Sequence, residues 1–198
     1  SEFIKKGFII FSIKEIKSLD YITNKVLKLA NSCIDSKITD LNNFHKHTTI
    51  KSINNIRLKI FEKLNKDKKF KQHYYNIGKE FINILAGNEL CMQRRINLSI
   101  QMPNDKTSVL PIHADVLNGD SPFEIVQWLP LVNCYKTKSM YILPANKRKN
   151  YLNLIKKYKN VGTKKIFSSI KKDLIFLNIP YGSCLIFNQN LFHGNIVN

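Results

Sequence analysis

The sequence predicts a mainly β domain with flanking helices, and two features of the chain carry this prediction. Apolar residues recur with helical spacing in the N-terminal half, which is typical of amphipathic helices that cover a core. In the C-terminal half, short apolar or alternating runs are separated by turns that contain Gly, Pro and Asn, which is typical of strands. At 198 residues the chain fits one domain, 1–198, with a sizeable core.

Amphipathic helices are predicted in the N-terminal half. Their apolar stripes lie along residues 14–31, 52–64 and 70–85. Gly87 ends the third stripe, because a glycine in the left-handed conformation commonly follows a helix. A further helix is expected over 146–158. We expect the helical part, about 8–90, to buttress a β core that comprises about 91–198.

The segment 93–103 alternates polar and apolar residues and predicts a half-buried strand. Its polar face carries Arg95, Asn97, Ser99 and Gln101. These side chains would contact a ligand if they lined the mouth of a barrel, or would face solvent on an ordinary amphipathic strand, and the alternation alone leaves both interpretations open. Further strands are predicted at 8–11, 123–134, 139–144, 184–187 and 191–195, with a bulge or edge position at Pro130.

The candidate chemistry lies in His113-Ala114-Asp115 and the distant His193. In an extended segment residues i and i+2 point to the same side, so His113 and Asp115 can reach one metal together. Two histidines and one carboxylate form the facial ligand set of mononuclear non-haem iron(II) sites. A lone histidine in an apolar run is more often a core residue, but the upstream H-x-D favours a ligand. His45, His47 and His73 have no carboxylate at ligand spacing, so they are interpreted as surface residues.

Several segments together resemble the iron(II)/2-oxoglutarate dioxygenases of the phytanoyl-CoA dioxygenase superfamily. The resemblance is strongest to the branch found in bacterial carbohydrate biosynthesis clusters. The segments that match in order and spacing are 111–115, 124–131, 139–144, 182–187 and His193-Gly194. The resemblance covers nearly the whole chain and is weakest over about 35–90.

The resemblance implies a double-stranded β-helix, a jelly-roll or cupin-like barrel buttressed by the N-terminal helices, with the metal at its open end. His113, Asp115 and His193 would map onto the iron ligands and thus onto the catalytic centre. Trp128 would pack beside the cosubstrate 2-oxoglutarate, and Asn195 would lie against its far carboxylate. Gln101 and Asn97 are further candidate contacts, chosen from the strand alternation.

An arginine usually binds that far carboxylate in the family, because a planar guanidinium can make two parallel hydrogen bonds to it. Its usual position, about ten residues after the distal histidine, lies outside a sequence that ends at Asn198. Either the natural chain continues or another cation substitutes. Arg95, on the polar face of its predicted strand, is the substitute that the sequence offers.

The activity that the resemblance implies is oxidation of a small-molecule substrate with Fe(II), 2-oxoglutarate and O2. Asp115 favours hydroxylation, because related halogenases replace this carboxylate by a small residue. The expected substrate is a sugar, a saccharide precursor or a phosphorylated sugar in cell-surface carbohydrate biosynthesis. Two alternatives stay open: a non-catalytic β-helix module that binds a sugar or a phosphorylated ligand, and a cupin-like metal enzyme that does not use 2-oxoglutarate.

The composition also limits which binding partners and cellular locations are expected. A formal net charge of +18 could attract nucleic acid, an anionic membrane or a phosphorylated substrate. Abundant Lys, Asn and Ile favour a composition bias that leaves lysines on a solvated surface, and no nucleic-acid partner is expected. No apolar run approaches the roughly 20 residues needed to span a bilayer, and no signal peptide is predicted. Cys33, Cys91, Cys134 and Cys184 lack C-x-x-C spacing, so reduced core thiols and a cytoplasmic location are expected.

Overall fold

The computed structural model describes residues 2–198, and within them helices occupy 49% of the chain and strands 13%. The predicted mainly β content is therefore wrong for the described residues. The α-helices are α1 (Glu2–Lys6), α2 (Ile16–Asn31), α3 (Ile50–Lys66), α4 (Lys68–Ala86), α5 (Ala145–Arg148), α6 (Leu152–Lys156), α7 (Tyr158–Val161) and α8 (Thr163–Ile170). The strands are β1 (Phe8–Ser12), β2 (Ile125–Trp128), β3 (Met140–Ile142), β4 (Ile175–Phe176), β5 (Ser183–Asn188) and β6 (His193–Asn195).

Short 3-10 helices complete the described secondary structure. They are Leu41–His47, Asp115–Asn118, Lys136–Lys138, Lys149–Tyr151 and Lys171–Asp173. The second of them begins at one of the candidate metal ligands.

The three predicted N-terminal helices form, and local signals set their ends. Thr49 caps α3 by accepting a hydrogen bond from the amide of Ser52, in a reciprocal capping box. Asp67 caps α4 by accepting from the amides of Lys69 and Phe70. Gly87, with a φ of 87°, follows the last turn of α4 as the sequence predicts.

Two small antiparallel sheets form the β part of the fold. The first has the order β1-β5-β2 and the second β4-β3-β6. Alternation along β5 sends Cys184 into a core shared with α2, α3 and α4, while Leu185 and Phe187 face the other way. The second core also receives Ile142 of β3, so it lies between the two sheets. The predicted strand at 8–11 is thus a sheet strand rather than part of the helical buttress.

A third core lies on the outer side of the second sheet. Tyr141 of β3 and the nearby Phe192 pack there with apolar residues of α6 and α8. The layers, in order, are therefore the helices α2–α4, the two sheets, and the short helices α5–α8. The helix predicted over 146–158 does not run continuously, because α5, a 3-10 turn and α6 divide it.

The predicted strand at 93–103 makes no strand ladder. Its burial alternates as predicted, since Ile96 and Met102 are buried and Asn97 is exposed. Its backbone is hydrogen-bonded by side chains instead: Asn65 bonds both the amide and the carbonyl of Ile96, and Arg57 donates to the carbonyl of Leu98. Side chains of α3 thus occupy three backbone groups that strand pairing would otherwise use.

Three smaller predictions are also corrected. The predicted strand at 123–134 is shorter, since β2 ends at Trp128. Cys91 is exposed rather than a core thiol, whereas Cys134 and Cys184 are buried and all four cysteines are free. His73 is half-buried, stacked on Tyr21, with its Nδ1 3.0 Å from the hydroxyl of Ser18, whereas His45 and His47 are exposed as predicted.

Within the described residues, no helix has the length and apolar composition that spanning a membrane requires.

Candidate metal centre

His113 and His193 are placed side by side by a backbone bridge. The amide of His113 donates to the carbonyl of His193 over 3.0 Å, and the amide of His193 donates back over 2.8 Å. His193 also begins β6, where it pairs with Ile142 of β3. The second sheet therefore sets the position of the distal histidine, and the bridge brings His113 to it.

Asp115 completes a cluster of three ligand types. Its Oδ1 atom lies 3.3 Å from Nε2 of His113 and 3.8 Å from Nε2 of His193. One ligand atom from each of the three residues lies within 4.8 Å of the others. The predicted His-Asp-His group is thus brought together. Asp115 stands at the start of a 3-10 helix rather than within a strand, so of the pair His113 and Asp115 it is His113 that takes part in the bridge to His193.

Backbone carbonyls fix the orientation of both imidazole rings. Nδ1 of His113 lies 2.8 Å from the carbonyl of Pro111, and Nδ1 of His193 lies 3.0 Å from the carbonyl of Leu191. A carbonyl oxygen can only accept, so each Nδ1 carries the proton and donates it. With Nδ1 engaged in this way, the Nε2 atom of each ring faces the space beside Asp115. Metal-binding histidines usually have such a partner for the other nitrogen.

The electrostatics favour an ionised Asp115 next to a neutral His193. Burial acts to raise the pKa of Asp115, but the hydrogen bond with His113 and the charges of the two imidazoles outweigh it, so this pKa is lowered. Burial lowers the pKa of His193, and the charge on His113 lowers it further. For His113, burial acts to lower the pKa, but its hydrogen bonds to Asp115 and Pro111 raise it overall.

Apolar side chains surround the cluster on the side of the core. Phe187 of β5 packs edge-on against His193, with ring centroids 4.9 Å apart. Ile112 and Ala114, which flank His113, are almost completely buried in the third core. The side chains of His113, Asp115 and His193 keep 14%, 20% and 7% of their exposure, respectively. The centre is thus shielded by the core on one side, while His113 and Asp115 keep partial exposure on the other.

Gly194 is in close contact with two neighbours. A Cβ atom at this position would lie 2.6 Å from the hydroxyl of Tyr141 and 2.7 Å from the carbonyl oxygen of Leu110. Such distances are well below van der Waals contact. The residue after the distal histidine must therefore be glycine for β6 to pack against β3 and the segment before His113.

Two of the predicted cosubstrate contacts instead have backbone partners. Oδ1 of Asn195 accepts from the amide of Leu110 at 2.5 Å, and its Nδ2 donates to the carbonyl of Ser108 at 3.3 Å. Gln101 donates to the carbonyl of Ile196 at 2.6 Å. These amides tie the segment 101–110 to the residues that follow His193.

The other predicted contacts lie in different surroundings. Trp128 is half-buried in the core between the sheets, the core that also contains Phe187. Arg95 is exposed and its guanidinium lies 5.9 Å from the ring centroid of Phe61 on α3. Asn97 is exposed on the same segment. Among the described residues, neither Arg95 nor Asn97 makes a hydrogen bond or ion pair with the three clustered residues.

The sequence-based interpretation missed three contributors to the site. The carbonyls of Pro111 and Leu191 orient the rings, and Phe187 packs on His193. Both carbonyls stand two residues before their histidine, a spacing that could have been noticed. The contact with Phe187 depends on how two strands of different sheets face each other, which no local pattern encodes.

Comparisons with known proteins find a similar fold but no matching sequence family. No protein-family model matches the chain, and no curated protein is similar to it by sequence. The fold is similar to that of HygX. The structure of HygX from Streptomyces hygroscopicus, with nickel and 2-oxoglutarate bound, has a TM-score of 0.54 and 12% sequence identity to this chain. The match covers 100% of this chain and 79% of that chain, and at this identity the likeness concerns the fold alone.

The three residues fit a divalent transition metal. Ligand atoms that lie about 2.1 Å from one metal at right angles to each other are about 3 Å apart. The observed separations of 3.3 and 3.8 Å from Asp115 Oδ1 are close to this value. Two imidazole nitrogens with one carboxylate suit iron(II) and similar metals better than Ca²⁺ or Mg²⁺, which prefer oxygen ligands.

Proposed function

We propose that the chain is a non-haem Fe(II)- and 2-oxoglutarate-dependent dioxygenase, with His113, Asp115 and His193 as metal ligands. The observation that carries the proposal is the pair of Nδ1–carbonyl hydrogen bonds, which turns both Nε2 atoms toward the carboxylate of Asp115. Both Nε2 atoms thus converge on one carboxylate, which is the arrangement that a shared metal requires. The likeness of fold to HygX, solved with nickel and 2-oxoglutarate, adds support.

The metal with its cosubstrate would supply the oxidising chemistry, namely O2-dependent oxidation of a substrate C–H bond coupled to decarboxylation of 2-oxoglutarate. The chain's own residues would hold the metal and orient its ligands. His193 is fixed by the sheet and by Phe187, and His113 by the backbone bridge, so contacts within the chain position two of the proposed ligands. Asp115, at the start of a 3-10 helix, supplies the negative charge.

The proposal also includes residues that would contact 2-oxoglutarate. Trp128 belongs to the apolar core that includes Phe187, so packing against a bound oxoacid is compatible with its surroundings. Asn195 and Gln101 are hydrogen-bonded to backbone groups. They would contact 2-oxoglutarate only by exchanging those partners. Arg95 and Asn97 would need movement of the segment 93–103 toward the centre.

The substrate class is also proposed. We infer a sugar, a saccharide precursor or a phosphorylated sugar, on the resemblance to the branch from carbohydrate biosynthesis clusters. Succinate production stimulated by such compounds supports the inference. A panel of cell-wall and capsule precursors without any stimulation contradicts it, even if 2-oxoglutarate binds.

The experiment that tests the proposal is an anaerobic titration of Fe(II) and then 2-oxoglutarate, followed by visible absorption. The expected result is a metal-to-ligand charge-transfer band in the wild type that is lost in Asp115→Ala. Asp120→Ala is the matched control, because Asp120 is exposed and lies close by in the sequence, so the band should persist. Failure to bind Fe(II) in the wild type would refute the proposal.

One observation favours a second candidate, a cupin-like metal enzyme that does not use 2-oxoglutarate. Both the donor and the acceptor of the Asn195 amide are already engaged by Ser108 and Leu110, which leaves this proposed cosubstrate contact occupied. In that case Fe(II) would bind tightly and Asp115→Ala would abolish binding. Addition of 2-oxoglutarate would produce no band and would not change the metal affinity.

A further inference from the structure

The segment 145–173, here called the basic insertion, concentrates the positive charge of the protein. It contains nine lysines and one arginine against a single acidic residue, Asp173, which gives it a net charge of +9. The whole chain carries +18, so half of the net charge lies in 29 of the 198 residues. A uniform composition bias would spread lysines in proportion to length. The concentration therefore needs a local explanation.

The insertion exposes its lysines because its apolar residues are turned inward. Ile166 and Ile170 of α8 are buried in the third core, while Lys164 and Lys165 of the same helix are exposed. The same core contains Leu154 and Ile155 of α6, next to the exposed Lys156. Since the underside packs on the second sheet, the lysines form the outer surface. The exposed lysines with described side chains are Lys147, Lys149, Lys156, Lys157, Lys164, Lys165, Lys171 and Lys172.

Little negative charge balances this surface. Among the side chains that the structure describes in the insertion, Lys147 forms an ion pair, with Asp173 at 3.5 Å. Asp173 also accepts a hydrogen bond from the hydroxyl of Tyr151, so it is held in place. The other exposed lysines of the insertion have no carboxylate within ion-pair distance in the described part of the chain.

Aliphatic side chains are exposed within the same surface. Leu152, at the start of α6, keeps 48% of its exposure. Helix α1 contacts α5 and adds Ile4, which is 82% exposed, and the exposed Lys5. The described aromatic rings of the insertion are not arranged for base stacking, because Phe167 packs on Tyr141 at 5.1 Å and the hydroxyl of Tyr151 bonds Asp173. Lysines interspersed with exposed aliphatic residues suit lipid headgroups better than a nucleic acid.

We propose that the basic insertion, together with α1, is a docking surface for an anionic membrane. Lysine ammonium groups would contact the phosphates of anionic headgroups, and Leu152 and Ile4 would enter the boundary between headgroups and acyl chains. Each lysine near such a surface strengthens binding by about fivefold, and the attraction falls off within a Debye length of roughly 8 Å at physiological salt. This association is peripheral and independent of the proposed dioxygenase activity.

The test is sedimentation of the protein with vesicles, one set of phosphatidylcholine alone and one containing phosphatidylglycerol in phosphatidylcholine. We expect binding to the second set only. We also expect its release when NaCl is raised from about 0.1 to about 0.5 M, which shortens the screening length about twofold. The triple variant Lys149→Gln, Lys156→Gln, Lys157→Gln should weaken binding more than tenfold. Leu152→Ser should weaken it by a smaller factor with the charge unchanged.

The matched control removes the same charge from the opposite helical layer. Lys51, Lys59 and Lys63 are exposed on α3, and their joint change to Gln should alter vesicle binding less than twofold. Circular dichroism of both triple variants checks that each is folded. Equal loss of binding in the two triple variants would overturn the proposal, because net charge alone would then explain it. Tighter binding to a duplex oligonucleotide than to the vesicles, lost in the insertion variant, would overturn it in favour of a nucleic-acid surface.

Discussion

The backbones of His113 and His193 exchange two hydrogen bonds, of 3.0 and 2.8 Å, although the two residues are far apart in the sequence. This bridge holds their imidazole centroids 4.3 Å apart. With both Nδ1 atoms donating to carbonyls, backbone contacts set the orientation of both rings. Preformed ligands lower the cost of ordering a site on metal binding.

The first prediction concerns metal retention. His113→Ala and Asp115→Asn should each weaken Fe(II) binding on the order of a hundredfold or more, because the first removes a ligand and the second removes the negative charge of another. Asp115→Asn keeps the shape of the side chain and so separates loss of charge from loss of packing. The measurement is the iron content after anaerobic dialysis, with His45→Ala as the control at an exposed histidine. Retention of iron by His113→Ala would rule out this ligand assignment.

The second prediction concerns Gly194. Gly194→Ala should destabilise the fold by about 1–3 kcal/mol, because the new methyl group would overlap the hydroxyl of Tyr141 and the carbonyl of Leu110. Urea unfolding measures the change. Adding Tyr141→Phe to this variant should recover only part of the lost unfolding free energy, since the backbone carbonyl of Leu110 remains in place. A Gly194→Ala protein as stable as the wild type would show that β6 can move away from its neighbours.

The third prediction separates two roles for Asn195. If its amide serves to hold Ser108 and Leu110, Asn195→Ala should cost about 1–3 kcal/mol of unfolding free energy, because two backbone groups lose their partner. The affinity of the folded protein for 2-oxoglutarate would then change little. The opposite result, unchanged stability with a large loss of 2-oxoglutarate affinity, would assign Asn195 to the cosubstrate instead.

The fourth prediction concerns pH. A hydrogen bond and ion pair with Lys25 at 2.7 Å, and a hydrogen bond from Tyr21, lower the pKa of Asp67 to about 2. A lowered pKa means that the stabilisation is present above the unfolded value, near 4, and is lost as the pH falls through the folded value. The pair should therefore stabilise the fold at pH 7 and progressively less between about pH 4 and pH 2.

Asp67→Asn tests this, because asparagine keeps the oxygen that caps α4 and replaces the oxygen that accepts from Tyr21 and Lys25 by an uncharged NH2 group. The expected loss at pH 7 is on the order of 1 kcal/mol, since Lys25 keeps 34% of its side-chain exposure and solvent screens the pair. Urea unfolding at pH 7 and pH 3 should show a smaller difference between variant and wild type at pH 3. A difference that does not shrink with acidity would assign the effect to the cap rather than to the charge.

The three N-terminal helices and the helix end at Gly87 were predicted correctly, because they depend on neighbours in the sequence. The caps at Thr49 and Asp67, which the structure shows, also act within a few residues. The strand prediction at 93–103 failed for the opposite reason. Its alternation set the burial of Ile96 and Met102 correctly, but Asn65 and Arg57 of a distant helix bonded its backbone, and no ladder formed.

The sequence by itself determined which residues could form the centre, since only His113, Asp115 and His193 combined the right ligand types with suitable spacing and context. Whether they meet was decided by the tertiary structure. The register of β6 on β3 and the bridge to His113 place the rings, and the carbonyls of Pro111 and Leu191 turn them. Asn195 illustrates the same division, because its amide is polar in any context but its partners come from the segment that packs beside it. Ligand type is a property of a side chain, whereas the position of that side chain depends on pairing between distant segments, which local patterns do not encode.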